Sequence, residues 1–258
     1  MDSELQENLR SQLWRLNNLY QITDKAGRRI TFTMNSAQEE LFYQMHRQNV
    51  ILKARQRGFT TFIQLYMLDD CVFHSNIRAG TIAHTLPDAR AIFRDKIRFP
   101  YDNLPERLKA ALPAKNDNSC ELLLANNSSI RVGTSLRSTT LQYLHISEYG
   151  KICAKFPTKA REVRSGALNT LDQNGIVFIE STAEGQDGHF FEICQAARSR
   201  RNEGSPLTAM DFKFHFSPWH EDEACALAAG AVDIPASYHD YFARLERLGI
   251  TLTPDQKA

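Results

Sequence analysis

Between Val50 and Arg201, short apolar, β-prone runs alternate with helical patterns, and this alternation limits the possible folds more than any other feature of the chain. Val50-Ile51-Leu52 reads as a buried strand, and Thr60 to Phe73 as a helix. Arg78 to His84 reads as a strand, and Pro87 suits the first turn of a helix running to about Arg98. Glu121 to Leu124 and Ile130 to Gly133 form a hairpin around Asn126-Asn127. Tyr143 to Ile146 and Gly175 to Ser181 are further strands, and His189 to Arg201 is a helix. Such units predict an α/β fold, a mostly parallel central sheet flanked by helices in three layers. Before them, residues 2–20 read as an amphipathic helix with Leu5, Leu9, Leu13, Leu16 and Leu19 on one side. Ile30 to Met34 alternates like a short strand, and Asn35 or Ser36 offers an N-cap for a helix over Gln38 to Gln48. Tyr238 to Leu248 reads as a helix closed by Gly249. Thr253-Pro254 then opens a helix that the chain does not finish, as at a boundary inside a longer protein.

Charge narrows the partners. The 258 residues carry 31 Lys+Arg and 30 Asp+Glu, a net charge of +1, which excludes a uniformly basic coat but not a local basic patch. No apolar run reaches the ~18 residues of a membrane span, and Met1 to Arg10 lacks the apolar segment of a signal peptide. The five cysteines are odd in number and without C-x-x-C spacing, so dispersed thiols in a reducing compartment are expected.

A parallel sheet binds ligands beyond the carboxyl ends of its strands. The first such turn reads Lys53-Ala54-Arg55-Gln56-Arg57-Gly58-Phe59-Thr60-Thr61. On the phosphate-loop template G-x-x-x-x-G-K-[ST], Gly58 and Thr60 match, Lys53 stands for the first glycine and Phe59 for the lysine. Loop amides and the helix N-terminus can still face an anion. Thr60 can still offer its hydroxyl to magnesium, and Lys53, Arg55 and Arg57 are the candidate cations, with Lys53 first. The competing reading is a basic turn that binds nothing. The strand Tyr143 to Ile146 ends in Ser147-Glu148, the form of a Walker B strand in which Glu148 would polarise an attacking water. Ser147 stands where an aspartate is expected, and could hold a metal-bound water without adding charge. The next strand ends in Ser181-Thr182-Ala183, whose hydroxyls can meet a γ-phosphate or a water.

With loop, acidic strand and hydroxyl tip in this order, the chain from about Asn35 to Gln256 resembles the ATPase domain of the large terminase subunit, the DNA-packaging motor of tailed bacteriophages. Asn35-Ser36-Ala37-Gln38 resembles its adenine-reading Q motif, with Gln38 on the adenine edge. Lys53 to Thr60 resembles the deviant Walker A of some members. Gly133 to Ser138 with Leu144 to Glu148 resembles the Walker B block, and Ser181-Thr182-Ala183 the coupling motif. The resemblance implies a P-loop NTPase of the ASCE, RecA- or helicase-like class that uses ATP and Mg2+. Its catalytic residues would be Glu148, Lys53 and Arg137. Nucleotide would meet Gln38, residues 53–61 apart from Ala54, Ser181 and Thr182, and metal would meet Thr60, Ser147 and Glu148. Arg137, eleven residues before Glu148, matches an arginine that reaches a neighbouring subunit's nucleotide, an effect worth roughly 10³–10⁵ in rate. A surface arginine is the competing reading.

The resemblance also implies double-stranded DNA, a portal protein and procapsid, and a small terminase subunit as partners. The assembled form would be a homo-oligomeric ring, expected pentameric, in the cytoplasm of an infected bacterium, with no membrane contact and a monomer in isolation. Residues 1–34 would be an arm and lead-in strand, 35–236 the ATPase core, and 237–258 a linker toward a nuclease domain whose activity is expected absent from this chain. Two basic clusters, Lys151, Lys155, Lys159, Arg161 and Arg164, and Arg198, Arg200 and Arg201, are candidates for DNA phosphates, against solvated helix faces. His145, His189 and His220 lack ligand spacing and read as packing or surface groups, and Trp219 as a core anchor. A helicase-like, DNA-stimulated ATPase and a catalytically inactive nucleotide-fold scaffold are the alternatives.

Overall fold

The structure, a computed structural model, describes residues 3–116, 118–136 and 140–258. In chain order the elements are α1 (Ser3–Arg10), α2 (Gln12–Asn18), β1 (Gln21–Thr23), β2 (Arg29–Thr31), α3 (Ser36–Gln44), β3 (Gln48–Lys53), α4 (Phe59–Phe73) and β4 (Arg78–Ile82). There follow α5 (Leu86–Ile92), α6 (Phe99–Asp102), α7 (Glu106–Ala111), β5 (Glu121–Leu123), β6 (Ser129–Gly133), β7 (Leu141–Ser147), α8 (Tyr149–Lys155) and α9 (Pro157–Ser165). The last are β8 (Leu171–Ser181), α10 (Gly188–Asn202), β9 (Phe212–Ser217), α11 (Ala236–Arg247) and α12 (Pro254–Lys257).

Seven strands form one sheet in the order β5-β6-β4-β7-β8-β3-β9. All neighbours are parallel except the edge pair β5–β6, the hairpin expected around Asn126-Asn127. Both faces are covered, and the strands show it residue by residue. Ile51, Phe178 and Tyr143 pack with α2, α3 and α4 on one face. Val50, Val177, Ile179, Leu144 and Ile146 pack with α8, α9 and α10 on the other. Two-residue alternation between two apolar layers is what a parallel sheet in a three-layer domain requires.

Several elements differ from their sequence reading, among them the helix expected over Gln38 to Gln48, which ends at Gln44 so that Gln48 already begins β3. The N-terminal helix breaks at Ser11, whose hydroxyl accepts from the Trp14 amide and caps α2. The helix from Pro87 passes through a π-helical turn at Phe93–Arg98 before α6, which buries Phe93 and Ile97. The strand β9 has no counterpart in the sequence reading; it lies at the sheet edge, and of Phe212, Phe214 and Phe216 only Phe214 is buried.

The N-terminal residues are built into the core. Leu16, Leu19, Tyr20, Phe32 and Met34 join the α4 face. Buried Arg15 donates from Nε and Nη2 to the Asp69 carboxylate of α4, at 2.7–3.2 Å, and Tyr20 donates its hydroxyl to Asp69 Oδ1 at 2.8 Å. At the other end Phe242, Leu245 and Leu252 form a small separate cluster with Trp219, whose Nε1 donates to the Tyr241 hydroxyl. No helix among the described residues is long and apolar enough to cross a membrane.

Candidate functional site

The carboxyl ends of β3, β7 and β8, three neighbouring strands, bring the site together. After β3 the chain turns through Gln56 (φ 60°) and Gly58 (φ 76°), both left-handed, into α4. The first intrahelical bond of α4 runs from the Phe62 amide to the Gly58 carbonyl, so the Phe59, Thr60 and Thr61 amides have no partner within the helix. Gly58 is required twice over. Its φ strains any L side chain, and a Cβ there would run into Gln38 Nε2.

Lys53 ends β3 almost wholly buried. Its ammonium lies 3.1 Å from Glu148 Oε1 and 3.0 Å from Glu180 Oε2. Burial alone would lower its pKa, but Glu180 and then Glu148 outweigh it, and the ammonium is held above its ordinary value. Glu148 follows β7 in the left-handed region (φ 54°, ψ 46°), an uncommon place for a glutamate and one that turns its side chain back toward Lys53. It also pairs with Lys151 at 3.2 Å and is 21% exposed, at the mouth of the site.

Behind it lies Glu180 of β8, fully buried. Thr60 and Ser147 each donate a hydroxyl to Glu180 Oε1 at 2.8 Å. His145 Nε2 is 3.4 Å from the same oxygen, and the Gln64 amide is 2.7 Å from His145 Nδ1. A Gln64 amide donating to Nδ1 leaves the proton of the neutral ring on Nε2, facing Glu180. Burial alone would raise the Glu180 pKa. The close approach of His145, the Lys53 charge and the Thr60 hydroxyl outweigh it and hold the carboxyl well below the usual range.

Next to Glu180, the Ser181 Oγ and Thr182 Oγ1 atoms are buried without a hydrogen-bond partner among the described residues. Gly150 packs against them, since a Cβ there would lie 2.8 Å from Ser181 Oγ. Buried hydroxyls without a protein partner at a strand tip can bond a ligand oxygen or a water. No group of three or more His, Cys, Asp or Glu among the described residues forms a metal site alone. The oxygen donors Thr60, Ser147 and Glu148 suit a magnesium ion that takes its remaining ligands from phosphates and water.

Other expected residues stand elsewhere. Arg57 is turned away from the loop mouth. Its Nε donates to Ser217 Oγ at 2.8 Å and its Nη1 pairs with Asp222 at 3.2 Å, which leaves Lys53 and exposed Arg55 as the cations at the loop. Phe59 is buried in the α4 core, so its side chain is not at the ligand face and only its amide is. Gln56 is exposed and Thr61 half-buried. Gln38 donates from Nε2 to the Gly58 carbonyl, which braces the loop, and accepts the Asn35 amide at Oε1, which closes the capping box of α3. One N–H of Nε2 and one lone pair of Oε1 remain for a ligand. Arg137 lies outside the described residues.

Of the basic residues, Lys159 donates to the Ala83 and His84 carbonyls, Arg200 pairs with Asp211, and Arg201 lies over the Phe214 ring. Lys155, Arg161, Arg164 and Arg198 are exposed. Glu180, His145 and Gln64 were not among the site residues expected from sequence. The signal for Glu180 was a charge closing the apolar run Ile176 to Ile179, in a strand covered on both faces.

No protein-family model matches the sequence, and no curated protein matches it. Solved structures do match. The large terminase ATPase domain of Thermus phage P74-26 is 17% identical, with a TM-score of 0.53 over 85% of this chain and 89% of that one. A mutant form of the same Thermus phage domain is 18% identical, with a TM-score of 0.50 over 85% of this chain and 90% of that one. The large terminase of a thermophilic bacteriophage is 10% identical, with a TM-score of 0.47 over 72% of this chain and 46% of that one.

Proposed function

We infer from this fold, that of phage large terminase ATPase domains, that the chain is the ATP-hydrolysing motor domain of a DNA-packaging machine. The observation that carries the reading is the chain of contacts from Glu148 to Lys53, Glu180 and Thr60, beside a left-handed loop at the ends of three adjacent strands. In this reading the loop amides and Lys53 take the β- and γ-phosphates. Thr60, with Ser147 and Glu148 nearby, would hold magnesium, which would supply positive charge against the phosphates. Glu148, released from Lys53 when the ammonium turns to phosphate, orients and deprotonates the attacking water. Ser181 and Thr182 hydrogen-bond the phosphate or water and pass its loss to the loop beyond β8.

The working form is a homo-oligomeric ring on a portal and procapsid, with double-stranded DNA as cargo, a small terminase subunit as partner, and Arg137 reaching a neighbour's nucleotide. Exposed Lys155, Arg161, Arg164 and Arg198 suit sequence-blind phosphate contact. An inactive scaffold is the second reading. It is favoured by Phe59 and Arg57 being committed to packing and to Asp222.

Steady-state ATP turnover with magnesium separates the two. The motor reading expects turnover that Glu148→Gln lowers by about 10²–10⁴ while ATP binding persists. Absence of turnover with DNA and procapsid present would favour the scaffold, and DNA strand separation without procapsid would favour a helicase.

A further inference from the structure

Position 147 carries a serine where the motif calls for a carboxylate, yet a second carboxylate is present one strand away. In the parallel ladder Ser147 and Glu180 are direct Cα partners. Both side chains meet, since Ser147 Oγ donates to Glu180 Oε1. The same oxygen accepts the Thr60 hydroxyl. We propose that Glu180 is the positioning carboxylate of this site, displaced laterally from β7 to β8, and that through Thr60 it sets the affinity of the loop for magnesium-bound nucleotide. The proposal rests on the nucleotide-binding reading above.

Hydroxyl chemistry supports it. Thr60 has one proton and two lone pairs. Glu180 takes the proton, so the lone pairs turn away from it, toward the loop, in the accepting state that a cation needs. A neutral partner at 180 would bind the hydroxyl less strongly and would not fix that direction. Position also supports it. The longer glutamate side chain on β8 reaches the hydroxyl that an aspartate on β7 would meet, and Ser147 fills the space left between them. Stability does not account for a fully buried carboxylate here, because apolar packing commonly serves a sheet tip as well as a buried ion pair does. Lys53 alone would also be served by Glu148, which it already contacts.

The test is calorimetric titration of the full chain with ATPγS, in magnesium and in EDTA. Wild type is expected to bind more tightly with magnesium. Glu180→Gln is expected to keep its EDTA affinity and to lose about 10–100-fold in magnesium, the worth of one charged hydrogen bond. The double variant S147D/E180S, which returns the carboxylate to β7, is expected to regain the magnesium effect. A purely structural Glu180 would lower the melting temperature and shift both affinities together, and that result overturns the proposal. So does an intact magnesium effect in Glu180→Gln. If Glu180→Gln does not fold, S147D/E180S decides: a restored magnesium effect upholds the proposal and its absence overturns it. A wild type that binds no nucleotide under either condition instead removes the nucleotide-binding reading itself.

Discussion

The ammonium of Lys53 sits 3.1 Å from the carboxylate of Glu148, so the cation expected on phosphate and the base expected on water are paired with each other. The pair is bridged onward to Glu180 at 3.0 Å. Lys53 therefore occupies the gap between two carboxylates and restrains the more exposed of them.

Removing that ammonium should cost both binding and stability. Lys53→Met keeps most of the volume but leaves Glu180 buried without its ion-pair partner. Destabilisation of about 3–5 kcal/mol is expected, read by urea unfolding, together with loss of ATPγS binding. Unchanged binding would show that another cation holds the phosphates.

Gly58→Ala should impair the loop more than its size suggests. The φ of 76° costs an alanine about 1–3 kcal/mol, and the added Cβ meets Gln38 Nε2, which braces the loop. The expected outcome is weaker nucleotide binding with a lower melting temperature, and Gln38→Ala should relieve part of the clash in the double variant.

Stability should fall in mild acid because of His215. Burial, and then the charges of Lys213, Arg201 and His46, push this imidazole down to about 4. Its Nε2 lies 3.0 Å from Asn49 Oδ1, an acceptor, so the neutral ring donates there. The unfolded chain takes up the proton near pH ~6.5 while the folded chain resists it until about 4. The contribution is thus complete above the unfolded value and is lost as pH falls through this window. Chemical denaturation between about pH 7 and about 4 should show the slope, and His215→Gln should flatten it.

The N-terminal tether can be tested away from the site. Arg15→Ala leaves Asp69 buried and unpaired with a cation, and a loss of about 3–5 kcal/mol is expected. Conversion of both partners to apolar residues of similar volume should recover much of it.

The sheet was legible because its strands are apolar on both faces and its helices follow at regular intervals. The loop was legible because Gly58 and Thr60 keep their template positions. What sequence could not convey was direction. Phe59 and Arg57 sit in the motif, but one faces the core and the other Asp222, and side-chain direction at a strand-to-helix turn depends on tertiary neighbours. Glu180 escaped notice for the opposite reason. It lies outside any linear motif, and only the β7–β8 register sets it beside Ser147. The edge strand β9 carries the two-residue alternation of a half-buried strand in Phe212 to Phe216, so it was legible in principle.

The Asp69 lock gives α4 a further meaning. This helix starts at the loop after β3 and is riveted near its far end by Arg15 and Tyr20, inside the larger apolar core. It works as an anvil rather than a lever. Accommodation of a ligand then falls to the torsions of Gln56 and Gly58 and to the tips beyond β7 and β8, and those are the places where amide exchange should change first when the site is filled.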